Sequence, residues 1–324
     1  MSLSNDGRLF PFIVGCGRSG TTLLTSMLDS HPALAFPGES GFLVEVCGRE
    51  SSGRFDAIDV ESVLDELRRF DRFDAWGLDA SALQAAVARS SPRCPADVIR
   101  ALYLFFASTR NKMWGGDKTP DHVMLIPELH GLFPEAQFIH VIRDGRDVAL
   151  ASRGVSWAPD SIEELALYWA KRVRCGRAAG RLLGPASYLE VRYEDLVENP
   201  DGELRRVTEF LELPFSSAML DFSAAAERQR SMSPDAVADK SLSRPLTKGL
   251  RDWRRDMAPA DALTFTILSG PLLRRLGYDV RVKGASQREY LSGAGRSARL
   301  LSRRVINRAL RGVQARFDGG GGRS

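Results

Sequence analysis

The chain has 324 residues, 44% of them hydrophobic and 27% charged, with 45 Lys and Arg against 41 Asp and Glu for a formal net charge of +4. That is ordinary globular composition with enough apolar mass for a real core, and no apolar run approaches the ~18 residues of a membrane span. Four scattered cysteines, Cys16, Cys47, Cys94 and Cys175, form no C-x-x-C or Cys/His cluster, which excludes a cysteine-built metal site and reads as buried, reduced thiols.

The first segment, "MSLSNDGRLFPF", has no basic region followed by an apolar one, so no signal peptide is expected and a cytoplasmic location is the default. Charge is uneven. Residues 285–324 carry nine Arg and two acids, a sum of +7, which leaves 4 − 7 = −3 for the body. The folded part is therefore mildly acidic, its pI says little about ligands, and no nucleic-acid partner is expected.

"LFPFIVG" reads as a buried parallel strand, and "TTLLTSMLDSHP" as a helix stopped at His31-Pro32. After the turn-rich "FPGESG" comes a helical block over about residues 50–110. Asp59 caps "VESVLDELRRF", Asp79 caps "ASALQAAVARS", and Pro95 opens "ADVIRALYLFFAS". "WGGDKTP" reads as a loop, "DHVMLIPELHGLF" as one helix, and "AQFIHVI" as a second buried strand running into the helix "RDGRDVALASR". Ser161 and Glu164 form a capping box for "IEELALYWAKRVRCGRAAGRLL". "YLEVRYEDLV" is a third strand–helix junction, followed by the helix "DGELRRVTEFLEL". The stretch from Ser223 to Arg255 reads as irregular, and "ADALTFTILSGPLLRRLGY" closes the body. Alternating strands and helices predict an α/β fold, a P-loop-type parallel sheet flanked by helices with a helical insertion, as one domain over residues 1–284. In the tail over residues 285–324, Leu301, Val305, Ala309 and Val313 recur at helical spacing among arginines, ahead of a Gly-rich end. Two readings stand: a basic amphipathic helix for a membrane surface or a dimer or other partner contact, and a solvated helix.

In "GCGRSGTTLL", Gly15 and Gly20 have the G-x4-G spacing of a phosphate loop, yet Thr21 stands where a nucleotide-binding loop carries its lysine. Glycines let the backbone amides of residues 15 to 22 converge, the following helix adds its positive end, and Arg18, Ser19, Thr21 and Thr22 add donors. The reading is an anion site formed by Gly17, Arg18, Ser19, Gly20, Thr21 and Thr22. Arg143 in "VIRDGRDVALAS" leaves the carboxyl end of a buried strand, where ligands of open α/β sheets bind. Arg143 with Ser152 reads as a second phosphate site; the competing reading is a solvated ion-pair cluster of Arg143, Asp144, Arg146 and Asp147.

In this order and 143 − 18 = 125 residues apart, the two motifs resemble those of sulfotransferases that use 3′-phosphoadenosine 5′-phosphosulfate (PAPS), most closely the branch holding tyrosylprotein sulfotransferases and bacterial relatives. "LDSHP", "GES", "DKTP", "LFPEAQFIHVIRDGR", "VRYEDLVENP", "RPLTKGLRDW" and "LLRRLGYD" extend the likeness from about Phe12 to Val280. The resemblance implies transfer of a sulfuryl group from PAPS to an acceptor hydroxyl on a small molecule, glycan, lipid or peptide, with release of 3′,5′-bisphosphoadenosine (PAP) and without a metal. It also implies that R-S-G-T-T holds the 5′-phosphosulfate, that Arg143 and a serine hold the 3′-phosphate, that Tyr193 contacts the donor, that Lys118 steadies the leaving oxygen and that Glu39 is the general base. His122 is the competing base, by likeness to histidine-using sulfotransferases. The chain departs from the pattern at Ala151, where the serine is expected; Ser152 and Arg153 are the nearest replacements, and Ser241 or Ser243 is the corresponding transition-state serine. The rival readings are a P-loop kinase or NTPase, and a PAPS/PAP-binding protein without catalysis.

Overall fold

A computed structural model describes residues 9–43, 64–65, 69, 74–232, 252–282 and 295. The basic tail (apart from Gly295), Ser241, Ser243, Cys47 and the segment capped by Asp59 lie outside the described residues, except for short helical pieces near residue 65. Backbone proximity divides the chain into two compact units, Met1–Arg143 with Arg172–Leu250, and Asp144–Lys171 with Arg251–Ser324.

In chain order the described elements are β1 (Phe10–Gly15), α1 (Thr21–Asp29), β2 (Leu34–Ala35), α2 (Ala80–Arg89), α3 (Pro95–Ser108), β3 (Trp114–Gly115), β4 (Asp117–Lys118), α4 (Ile126–Leu132), β5 (Ala136–Ile142), α5 (Gly145–Ser152), α6 (Ile162–Leu183), β6 (Tyr188–Arg192), α7 (Tyr193–Glu198), α8 (Pro200–Phe210), α9 (Ser223–Ser231), α10 (Trp253–Asp256) and α11 (Pro259–Arg275).

The first unit is built on a four-stranded sheet in the order β4-β1-β5-β6, every neighbouring pair parallel. Pleating sends alternate side chains to opposite faces. Phe10, Phe12, Val14 and Phe138 enter one core, with Tyr103, Phe106 and Phe133. Ile13, Ile139, Val141 and Val191 enter the other, with Leu24, Leu28 and Leu204. Both faces are covered, as the near-continuous apolar runs require. A second, two-stranded parallel ladder pairs Leu34 with Trp114 and Ala35 with Gly115.

Local rules hold where their residues are strong. Asp79 accepts from Ala82 N at 2.7 Å to cap α2, Pro95 begins α3, and Ser161 and Glu164 close their capping box. Three expectations change. "WGGDKTP" is not a loop throughout but holds β3, paired with β2, and β4, paired with β1; between them Gly116 lets the Phe36 ring approach where a Cβ would sit 2.4 Å away. "DHVMLIPELHGLF" breaks at Leu125, just ahead of Pro127, into a 3-10 turn (Pro120–Met124) and α4. The stretch expected to be irregular holds α9 and α10.

In the second unit, Arg146 is fully buried. It grips Asp144 through Nε (3.0 Å) and Nη2 (2.7 Å), donates to the Asp279 carbonyl at 2.6 Å, and lies 3.7 Å over the Trp253 ring. Asp147 accepts from Trp253 N at 2.8 Å. These charges tie Asp252–Trp253 and the "LLRRLGYD" segment into that unit; they are not a solvated cluster.

His140 is a buried strand residue whose Nδ1 lies 2.6 Å from the Tyr188 hydroxyl. Burial, with Arg177 adding to it, pushes its pKa from 6.5 down to about 3. The unfolded chain therefore takes up this proton first, so the stability His140 contributes is present above pH 6.5 and is lost as pH falls toward 3. Unfolding free energy should decline by at most about 1.4 kcal/mol per pH unit in that window, and His140→Gln should flatten the decline. Denaturant melts at pH 7, 6 and 5 check this.

Candidate functional site

Three parallel strands of the first unit deliver site residues at their carboxyl ends. β1 leads into Cys16–Gly20, where Ser19 N donates to the Cys16 carbonyl at 3.1 Å. Arg18 (φ 68°) and Gly20 (φ 97°) take left-handed conformations that turn the loop into α1. Gly20 is the N-cap of α1 and supplies no side chain to it, so the first amides of the helix stay available to a ligand. Thr21 is buried and Ser19 is 1% exposed; the Ser19 Oγ has no hydrogen-bond partner among the described residues. A buried hydroxyl left this way needs an acceptor from outside the chain. Cys16 beneath the loop is a neutral thiol, its pKa pushed up to about 12 by burial.

β5 ends at Ile142 and delivers Arg143, 8% exposed, whose Nη1 donates to the Arg18 carbonyl at 3.4 Å. β6 ends at Arg192 and delivers Tyr193. Its ring lies 4.3 Å beneath the Arg143 guanidinium and covers Gly20, where an added Cβ would sit 2.3 Å from the ring. The residues expected to hold a nucleotide donor, Gly17 to Thr22, Arg143 and Tyr193, are thus gathered at one sheet edge. Ser152, the expected partner of Arg143, is described within its own unit. It lies in the second unit, at the end of α5, and donates to the Val148 carbonyl at 2.8 Å; Arg153 there pairs with Asp261 at 3.2 Å.

Glu39 and Lys118 meet. Lys118, 2% exposed, donates from Nζ to Glu39 Oε1 at 2.6 Å, and the Glu39 side chain is 27% exposed. The ladder of β2 with β3 pairs residues 114 − 34 = 80 apart, and that offset runs on almost unchanged to Glu39 and Lys118, 79 apart. Buried Asp29 fixes the same segment by accepting from Phe36 N at 3.0 Å, while Gln229 donates to the Phe36 carbonyl at 2.8 Å. Asp29 is itself held by Arg228 at 3.0 Å.

Behind this pair lies a buried cluster not foreseen from the sequence. Asp117 accepts from Ser40 Oγ and from Tyr103 OH (2.7 Å), and faces His122 Nδ1 at 2.8 Å. Burial alone would raise its pKa; His122 and the hydrogen bonds outweigh that and hold it below the ordinary carboxylate value. His122 is fully buried. Of the other histidines, His31 closes α1, donating from Nε2 to the Pro214 carbonyl at 2.9 Å while Nδ1 accepts from Ala33 N at 3.1 Å.

A glycine loop at the end of a central parallel strand, with arginines on it and beside it, is the layout of phosphate-loop α/β enzymes. The chain belongs to the sulfotransferase family, whose sequence profile matches residues 12–217, more than half its length. It is 28% identical over 289 residues to a protein of Caenorhabditis briggsae, covering 86% of this chain and 91% of that protein, and 28% identical over 293 residues to protein-tyrosine sulfotransferase 1 of Danio rerio, covering 83% of this chain and 72% of that protein. It is also 28% identical over 309 residues to the nodulation protein NoeE of Sinorhizobium fredii, covering 86% and 68%. Among solved structures, the sulfotransferase domain of the Synechococcus PCC 7002 olefin synthase superposes with a TM-score of 0.56 at 26% identity, over 83% of this chain and 94% of that one. The chain is accordingly a sulfotransferase, and its family decides against the kinase and NTPase reading.

Proposed function

We propose that this sulfotransferase takes its sulfuryl group from PAPS and passes it to an acceptor hydroxyl, releasing PAP. The observation that carries the donor assignment is the buried, unsatisfied Ser19 hydroxyl in a left-handed loop at a helix N-terminus, with Arg143 stacked on Tyr193 beside it. Amides of the loop, Arg18, Ser19, Thr21 and Thr22 hold the 5′-phosphosulfate, while Arg143 and Tyr193 serve the nucleotide and its 3′-phosphate. PAPS supplies a sulfuryl group on a stable phosphate leaving group. Glu39 takes the acceptor proton, the acceptor oxygen bonds to sulfur as the sulfur–oxygen bond to phosphate breaks, and Lys118 steadies the charge left on that oxygen. No step in this scheme calls for a metal. The zebrafish relative supports a phenolic acceptor such as a tyrosyl peptide; sugar, lipid and small-molecule hydroxyls are the alternatives, and incubation with labelled PAPS and extracts of the source cell identifies the product.

PAP should raise the melting temperature in a concentration-dependent way without added metal, by about 2.7 kcal/mol of stabilisation at a hundredfold excess over Kd. Adenosine 5′-phosphosulfate lacks the 3′-phosphate and should bind about 10- to 100-fold more weakly, the scale of a lost charge-assisted hydrogen bond. Arg143→Ala should abolish that difference. Equal shifts for both ligands in the unaltered protein would remove Arg143 from the 3′-phosphate.

A further inference from the structure

We infer that Ser40 and Asp117 are positioning residues that hold the general base against Lys118, an inference that rests on the assignment of Glu39 as that base. Glu39 sits between Pro37-Gly38 and Gly41, outside any helix or strand, so its own backbone gives it little constraint. Its neighbour Ser40 is fully buried and tied to the residues on either side of Lys118. Ser40 N donates to Thr119 Oγ1 at 2.9 Å, and Ser40 Oγ donates to the Asp117 carboxylate. Asp117 and Thr119 flank Lys118, so the extended backbone turns Lys118 away from both and toward Glu39. Three consecutive residues, the two of β4 and Thr119 after them, thus fix two consecutive residues of an irregular segment.

Asp117 is itself immobilised. Tyr103 and His122 hold its carboxylate from α3 and from the 3-10 turn. Its depressed pKa marks it as a charged acceptor, the form that binds the Ser40 hydroxyl most strongly. Catalytic groups lose about 10²-fold when misplaced by roughly 1 Å, and a supporting shell of this kind is what prevents it.

The test measures kcat and the KM for PAPS as PAP release, with a pool of tyrosyl peptide, 4-nitrophenol and hexose as acceptors and water counted as one. Ser40→Ala should lose about 10-fold in kcat, a fraction of the full misplacement penalty, with the KM for PAPS and the PAP thermal shift unchanged. Thr119→Val, which cuts the second tie, should fall in the same direction. Ser269→Ala removes an equally buried hydrogen bond, to the Ala166 carbonyl, from a residue that has no place in this cluster; it should lower the melting temperature and leave kcat unchanged. Wild-type kcat in a folded Ser40→Ala or Thr119→Val protein overturns the inference, as does a Ser269→Ala enzyme that loses as much kcat as Ser40→Ala. Glu39→Gln separates the two levels: normal turnover removes the base assignment and the inference with it, whereas an inactive Glu39→Gln beside a normal Ser40→Ala removes the inference alone.

Discussion

Glu39→Gln should bind PAP as the unaltered protein does and lose about 10²-fold or more in turnover, the scale of a positioned general base. The amide preserves size and can still accept from Lys118 Nζ, so the 2.6 Å contact survives while the proton acceptor is gone. Lys118→Ala should lose turnover as well and weaken donor binding, because it removes an almost fully buried cation that holds Glu39. The sequence alone suggests that His122→Ala is mild. The structure changes that expectation: His122 Nδ1 lies 2.8 Å from buried Asp117, and leaving a buried carboxylate short of one hydrogen-bond partner costs on the order of 1–3 kcal/mol. Its effect should therefore appear in the melting temperature first. PAP thermal shifts beside single-turnover rates make the comparison. Near-normal turnover for Glu39→Gln, with a folded but inactive His122→Ala, would transfer the base role to His122.

Gly20→Ala should abolish the PAP thermal shift and destabilise the protein. Two causes act together. The backbone at Gly20 has φ 97°, where a non-glycine residue costs on the order of 1–3 kcal/mol, and the new methyl would sit 2.3 Å from the Tyr193 ring. Displacing that ring also removes the surface on which Arg143 rests at 4.3 Å. Adding Tyr193→Ala to Gly20→Ala relieves the collision but not the strained backbone, so it should recover part of the stability and none of the PAP shift. Calorimetry on both proteins reads the two contributions apart. A Gly20→Ala protein with an undiminished PAP shift would show that the loop tolerates a side chain and that its conformation does not define the donor site.

Much of this was legible in the sequence where local chemistry dominates. The strand–loop–helix of Phe10 to Asp29, the arginine at the end of β5 and the tyrosine at the end of β6 all follow from apolar runs that stop at glycine or charge. Glu39 and Lys118 were readable only by resemblance, since nothing in "GES" or "DKTP" says that the two segments touch. Their meeting depends on the ladder between Leu34–Ala35 and Trp114–Gly115, two residues per strand and too short to leave a pattern. Asp117 and Asp29 escaped for a related reason. An acidic residue next to a polar or charged neighbour, Ser30 for Asp29 and Lys118 for Asp117, looks solvated until its donors, Ser40, Tyr103 and Arg228, arrive from distant parts of the chain. The division at Arg143–Asp144 was also invisible, because "VIRDGRDV" is continuous in sequence while its charges serve two units.

The strand order β4-β1-β5-β6 also bears on how the molecule is made. β1 precedes all its partner strands in the chain and so leaves the ribosome before them, and it is buried along its whole length in the finished sheet. Its nearest partner strands come much later: Phe12 pairs with Asp117, and Phe10 with Ala136, which is 136 − 10 = 126 residues further on. At about 5–20 residues per second of synthesis, β1 waits roughly 6 to 25 seconds for that partner. During the interval an apolar strand with unpaired edges is exposed in the nascent chain, the kind of segment that chaperones shield and that aggregates when they do not.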